Sequence, residues 1–217
     1  MLLFGFYVRF DIKHVYDIIV VMQKKYKSEF SFKKRDYVRI LNNVIDCCLR
    51  RFGYSIRPYV RETNLRYGEM MMFIDRGHRY AILYDYQQFR RMFGKYNYEV
   101  QQAYTILMAA HEMRHYYQIR QIFSKTPRED EKTIAEWCEN HFNGKYYENY
   151  AEEILDFYMQ PMELDAELYA YWFVCKVLDK GVKLDFIDEN FIQILKSKWI
   201  EKYGEDDEDL YIFDFVE

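Results

Sequence analysis

Residues 111–115 read His111-Glu112-Met113-Arg114-His115, an H-E-x-x-H pentad. Two histidines four apart on a helix leave the same face about one turn apart. A single Zn²⁺ then takes a nitrogen from each, at roughly 2.0–2.1 Å. Glu112 stands beside the first of them, where a carboxylate takes the proton from a water on the metal. The motif needs a helix, and the surroundings supply one. Tyr98 to Ser124 contains no Gly or Pro, and the apolar run Ala103 to Ala110 leads directly into His111. This pattern predicts one long helix, buried at the pentad. A core histidine pair satisfied by nearby carboxylates would leave the same string without chemistry.

A catalytic zinc takes three protein ligands and leaves one position for water. Downstream of His115 the candidates are His141, Glu148, Glu152, Glu153, Asp156, Glu163, Asp165 and Glu167. The segment Pro161-Met162-Glu163-Leu164-Asp165-Ala166-Glu167-Leu168-Tyr169-Ala170 stands out because it opens a helix at a proline. Glu163 and Glu167 are four apart and share a face. Glu163 is the candidate ligand, and Glu167 the carboxylate that accepts the other ring N–H of a ligand histidine and fixes its tautomer. The competing reading is an acidic first turn facing the positive end of the helix dipole.

With the pentad, residues 163–170 resemble the E-x-x-A-D-x-F-A pattern of the gluzincin metallopeptidases, including the small ImmA/IrrE-like peptidases of bacteria and phages. Glu167 stands where the family often has Asp, and Tyr169 where it often has Phe. The resemblance implies a zincin-like fold, a small antiparallel β-sheet packed on a helical bundle. It implies Zn²⁺ on His111, His115 and Glu163, Glu167 behind a ligand histidine, Glu112 as general base, and a peptide or protein substrate. It covers residues 111–115 and 163–170 alone. Arg114 departs from it, being basic where the family is uncharged. It must point away from the metal or meet a carboxylate, with 129–131 the nearest acidic region. The family's Gly after the apolar residue is missing. The H-E-x-x-H-x-x-G-x-x-H extension is also absent, since Tyr116 to Gln121 continues the helix, which excludes a third histidine ligand from this segment.

The elements that must carry these residues follow from periodicity. An apolar strand at the start precedes a helix from Ile12 to Tyr26, and a second helix spans Lys33 to Phe52, closed by Gly53. Ile56 to Arg61 is extended around Pro58. Glu69 to Ile74 and Arg79 to Tyr84 form a hairpin across Asp75-Arg76-Gly77-His78. Gln87 to Met92 is a short helix before the pentad helix, which Pro127 terminates. Helices follow at Glu129 to Phe142, Ala151 to Met159, Met162 to about Lys180 and Asp185 to Tyr203. Helices, a small sheet and more helices make an α+β chain, with 1–217 as one domain.

Half of the 217 residues are hydrophobic, enough for one substantial core. Aromatics reach 20%, with 23 Tyr and 17 Phe, and tyrosines suit wet edges of a core or a groove for extended peptide. A net charge of −4 argues against nucleic-acid binding. No stretch is long and apolar enough to span a membrane, and the start lacks a basic leader and cleavage site. Among Cys47, Cys48, Cys138 and Cys175 there is no metal-type C-x-x-C spacing, and the neighbours Cys47 and Cys48 do not normally bond to each other, which fits reduced thiols and a cytoplasmic setting. His141, Tyr80, Tyr146 and Tyr147 are candidate partners for a reaction oxyanion, while His14 and His78 lack ligand spacing. Two other functions remain open: a non-catalytic zincin-like binding or regulatory protein, and a hydrolase of non-peptide amides.

Overall fold

The structure, a computed structural model, describes residues 31–66, 69–77, 79–144, 157–178 and 189–205, with Asp207 and Asp209. Its described elements run α1 (Lys34–Phe52), β1 (Tyr59–Glu62), β2 (Met71–Asp75), β3 (Tyr80–Tyr84), α2 (Tyr86–Phe93), α3 (Tyr98–Ile122), α4 (Glu131–Asn143), α5 (Pro161–Leu178) and α6 (Glu189–Tyr203). The chain is α+β.

Local chemistry sets the helix ends. Asp85, Asn97 and Asp130 precede α2, α3 and α4, and each side chain accepts the amide three residues on, at 2.9, 2.9 and 3.0 Å. Helix α1 ends at Gly53, whose φ of +66° is the left-handed conformation a side chain resists. The Tyr54 N–H then reaches back to the Leu49 carbonyl at 2.9 Å. Helix α3 ends at Ile122, five residues before Pro127, so the proline does not terminate it directly.

Helix α3 is the centre of the molecule, packed against α5, α1 and β2. It is buried on nearly every side, so it carries no single apolar stripe and its interior includes Gln101, Gln102, Thr105, Gln118 and Gln121. Ala109 and Ala110, just before the pentad, are fully buried, as are Ala166 and Ala170 in α5. By helical spacing Ala170 shares the face of Glu163 and Glu167, with Ala166 beside it. Such small side chains bring helix axes close together.

The sheet order is β1-β3-β2. The hairpin β2–β3 is antiparallel, pairing Phe73 with Ile82, but β1 runs parallel to β3, pairing Val60 with Ile82. The expected antiparallel sheet is therefore corrected to a mixed one. Strand periodicity reports which residues alternate, not which neighbour a strand joins, and here β3 enters between the two earlier strands. Among the described residues strand β2 is left on an edge. Asp85 N–H bonds to Met70 O and Arg76 N–H to Arg79 O, so by antiparallel alternation the Phe73 backbone groups point away from β3.

The first expected strand and the helix from Ile12 to Tyr26 lie outside the described residues, as do most of Ala151 to Met159 and the start of the last helix. Among the described residues no helix is long and apolar enough to cross a membrane, and Cys47, Cys48, Cys138 and Cys175 are free thiols.

Candidate metal centre

The last turns of α3 and the first turns of α5 face each other. His111 and His115 leave one side of α3 a turn apart, with ring centroids 4.6 Å apart and planes nearly perpendicular. Glu163 comes from the first turn of α5, which Pro161 opens. His111 Nε2 and His115 Nε2 are 2.9 Å apart. Glu163 Oε2 lies 3.3 Å from the first and 3.4 Å from the second. Ligand atoms bound tetrahedrally at roughly 2.0–2.1 Å stand about 3.3 Å from one another. The three atoms thus form one face of a tetrahedron of the right size. Among the described residues, His111, His115 and Glu163 make a group able to hold a metal ion.

Each ring has a partner on its other nitrogen. His111 Nδ1 lies 3.2 Å from Glu167 Oε1, the pairing expected from the i, i+4 spacing of Glu163 and Glu167. The contact has ion-pair distance but lacks the alignment of a hydrogen bond, since Nδ1 is otherwise unsatisfied among the described residues. His115 Nδ1 is 2.8 Å from Gln118 Oε1. Gln118 is fully buried, and its Nε2 donates to Met162 O and Asp165 Oδ2, both at 2.9 Å.

Glu112 is buried beside the pair, and its Oε2 accepts the outward-pointing N–H of Phe73 on β2 at 2.7 Å. Helix α3 and the sheet edge therefore share this carboxylate. Burial pushes the Glu112 carboxyl up, against the opposing pull of His111 and His115.

The charges around the cluster are unbalanced. Glu112, Glu163 and Glu167 surround two imidazoles, and a low-dielectric site with surplus negative charge draws in positive charge. For His111, burial opposes protonation, but Glu167 and Glu163 outweigh it and hold the ring well above the usual imidazole range. His115 is raised as well, burial again being overcome by Glu163. Burial likewise opposes the charge on Glu163, yet the facing rings of His115 and His111 hold it well below the usual carboxylate range. A divalent cation among the three candidate ligand atoms would meet the same demand for positive charge.

Arg114 points away from this face. Its guanidinium forms a bidentate pair with Asp165, Nε to Oδ2 at 2.7 Å and Nη2 to Oδ1 at 3.1 Å. Glu129 stands 3.5 Å from Nη2, so the expected contact near 129–131 exists but is the lesser one. The guanidinium also lies over the Tyr117, Tyr169 and Trp137 rings. This pairing occupies Asp165, one of the alternative third ligands. His141 packs on Phe142 and Phe123 rather than in the cluster, and Tyr80 stacks on Phe73 and meets Tyr116 edge-on. Glu148, Glu152, Glu153, Asp156, Tyr146, Tyr147, His14 and His78 lie outside the described residues.

Sequence reasoning passed over Gln118 and the Arg114–Asp165 pair. The spacing of Gln118 from His115, three residues on the same helix, was the available signal. Compared with known proteins, the chain matches no family model, no curated protein and no solved structure.

Proposed function

We propose that this protein is a zinc-dependent peptidase whose site is zincin-like, built on the pentad helix and the helix of Glu163. The observation that carries the reading is the triangle of His111 Nε2, His115 Nε2 and Glu163 Oε2, with edges of 2.9, 3.3 and 3.4 Å and a buried carboxylate beside it. A three-donor set leaves a tetrahedral position for water or substrate. Zinc, when bound, supplies an acidified water and a Lewis acid for the scissile carbonyl.

The chain's own residues do the rest. His111, His115 and Glu163 hold the ion, and Glu167 faces the far side of the His111 ring. Glu112 takes the proton of the attacking water and passes it to the leaving amine. The Phe73 N–H holds one of its oxygens and leaves the other for that transfer. Strand β2, an edge among the described residues that Glu112 already holds at the Phe73 N–H, is the proposed surface for pairing with an extended peptide.

Metal analysis of the purified protein, followed by digestion of a peptide library, tests the reading. Wild type is expected to carry about one zinc per chain and His111→Ala to lose it. Glu112→Gln is expected to keep the metal and lose hydrolysis by about 10²–10⁴-fold. Zinc without turnover in the wild type would leave a binding protein, and turnover in Glu112→Gln would remove Glu112 as the base.

A further inference from the structure

Gln118 is fully buried, and every polar atom of its side chain is engaged. Its Nε2 has two hydrogens and faces two acceptors, Met162 O and Asp165 Oδ2, each at 2.9 Å. The opposite amide orientation would set a carbonyl oxygen against both, so the partners fix the orientation. Oε1 therefore faces His115 Nδ1 at 2.8 Å as an acceptor, and Nδ1 must carry the hydrogen. In the neutral ring the lone pair is then on Nε2, aimed at His111 Nε2 and Glu163 Oε2.

The orientation of Gln118 is itself held from behind. Asp165 receives the Arg114 fork and, from α6, Lys202 Nζ at 3.2 Å. Its Oδ2 therefore sits where the Gln118 amide must donate. Arg114 and His115 are neighbours in sequence but leave α3 on different sides. The chain between them runs through Asp165 on α5 and returns to α3 through Gln118.

We propose that Gln118 is a positioning residue that selects the Nδ1–H tautomer of His115 and so presents Nε2 to the metal, with Asp165 and Arg114 fixing the orientation of its amide. The consequence for metal binding rests on the zinc reading above; the tautomer does not. This assigns a purpose to the charge inside the pentad: Arg114 acts on the site through two intermediaries without approaching the ion.

Long-range ¹H–¹⁵N spectra of the imidazoles, taken on the metal-free full chain at alkaline pH, read the tautomer directly. Wild-type His115 is expected as Nδ1–H. Gln118→Met, close in shape but without the amide oxygen, is expected to shift His115 toward Nε2–H and to lower zinc affinity by about 10–100-fold in competition with a chromophoric chelator. An Nε2–H wild-type ring overturns the proposal without any variant, which keeps the test decisive if Gln118→Met does not fold. Unchanged tautomer and unchanged affinity in a folded Gln118→Met also overturn it. Nδ1–H wild-type His115 that shifts in the variant, in a protein that binds no zinc, supports the positioning role and removes the zinc reading instead.

Discussion

Asp165→Asn removes one charge from a pair that is almost sealed from water, the two side chains being 9% and 14% exposed. The substitution is nearly isosteric, but an amide must turn its NH2 toward donors on one side, Arg114 Nε and Gln118 Nε2 or Arg114 Nη2 and Lys202 Nζ, so the loss combines charge and hydrogen bonding. Breaking one partner of a buried pair costs about 3–5 kcal/mol, chiefly because the other charge is left uncompensated. Here Arg114 keeps Glu129 at 3.5 Å and the face of Tyr117 at 4.6 Å, which places the expected loss at the low end, about 3 kcal/mol. For a chain of this size that is a fall in Tm of about 6–12 °C. Calorimetry and urea unfolding with chelator present measure it free of any metal contribution. The double variant Arg114→Met/Asp165→Leu removes the desolvation cost together with the attraction, and is expected to lose less than the two singles added, by at least about 1.5 kcal/mol. A loss below about 1 kcal/mol for Asp165→Asn, or singles that add within about 0.5 kcal/mol, would refute the pair as the clamp between α3 and α5.

Zinc is expected to stabilise the chain by about 2.7 kcal/mol when free metal is a hundredfold above Kd, a rise in Tm of about 5–11 °C that Glu163→Ala reduces. Thermal melts with zinc, and with magnesium as control, check this; identical melts with and without zinc would contradict it. The Asp165 carboxyl contributes a pH dependence. Burial opposes its charge, but the Arg114 guanidinium outweighs burial and lowers its pKa from 3.8 to about 2 in the folded chain. A folded pKa below the unfolded one gives stability that is complete above about pH 4 and lost as pH falls toward about 2, on the order of 2 kcal/mol here. The stability gap between wild type and Asp165→Asn should therefore narrow over that acid range in urea titrations. A gap that stays constant would mean that Asp165 is not ionised against Arg114.

The pentad helix was legible because a metal face built on one helix is a local property: spacing decides which side chains share a face, and the absence of Gly and Pro keeps the helix intact through His115. The start of α5 was legible for a similar reason, since Pro161 marks the first turn and Glu163 and Glu167 then share a side. The meeting of these two faces is not local. It depends on how α3 and α5 are rotated against each other. The same rotation decides whether Arg114 finds Glu129, close in sequence, or Asp165, fifty-one positions away. Sequence proximity favoured the region of Glu129, and packing favoured Asp165. The sheet follows the same logic, because alternation identified β2 and β3 while the parallel neighbour of β3 depended on where β1 entered.

Gln118 shows where the boundary between legible and hidden lies. Its place three residues beyond His115 was visible, but an amide at that spacing has two opposite uses. It presents an acceptor to the ring or a donor, and the two select opposite tautomers. What decides between them is the pair of acceptors on its other side, the Met162 carbonyl and Asp165, both from α5. The ligand geometry of α3 therefore becomes defined only when α5 docks. On the proposed reading, the helix that brings the third candidate ligand, Glu163, also fixes the tautomer of His115. Metal affinity and the packing of these two helices should accordingly be coupled, and substitutions at Arg114 that leave every ligand in place should still weaken the site.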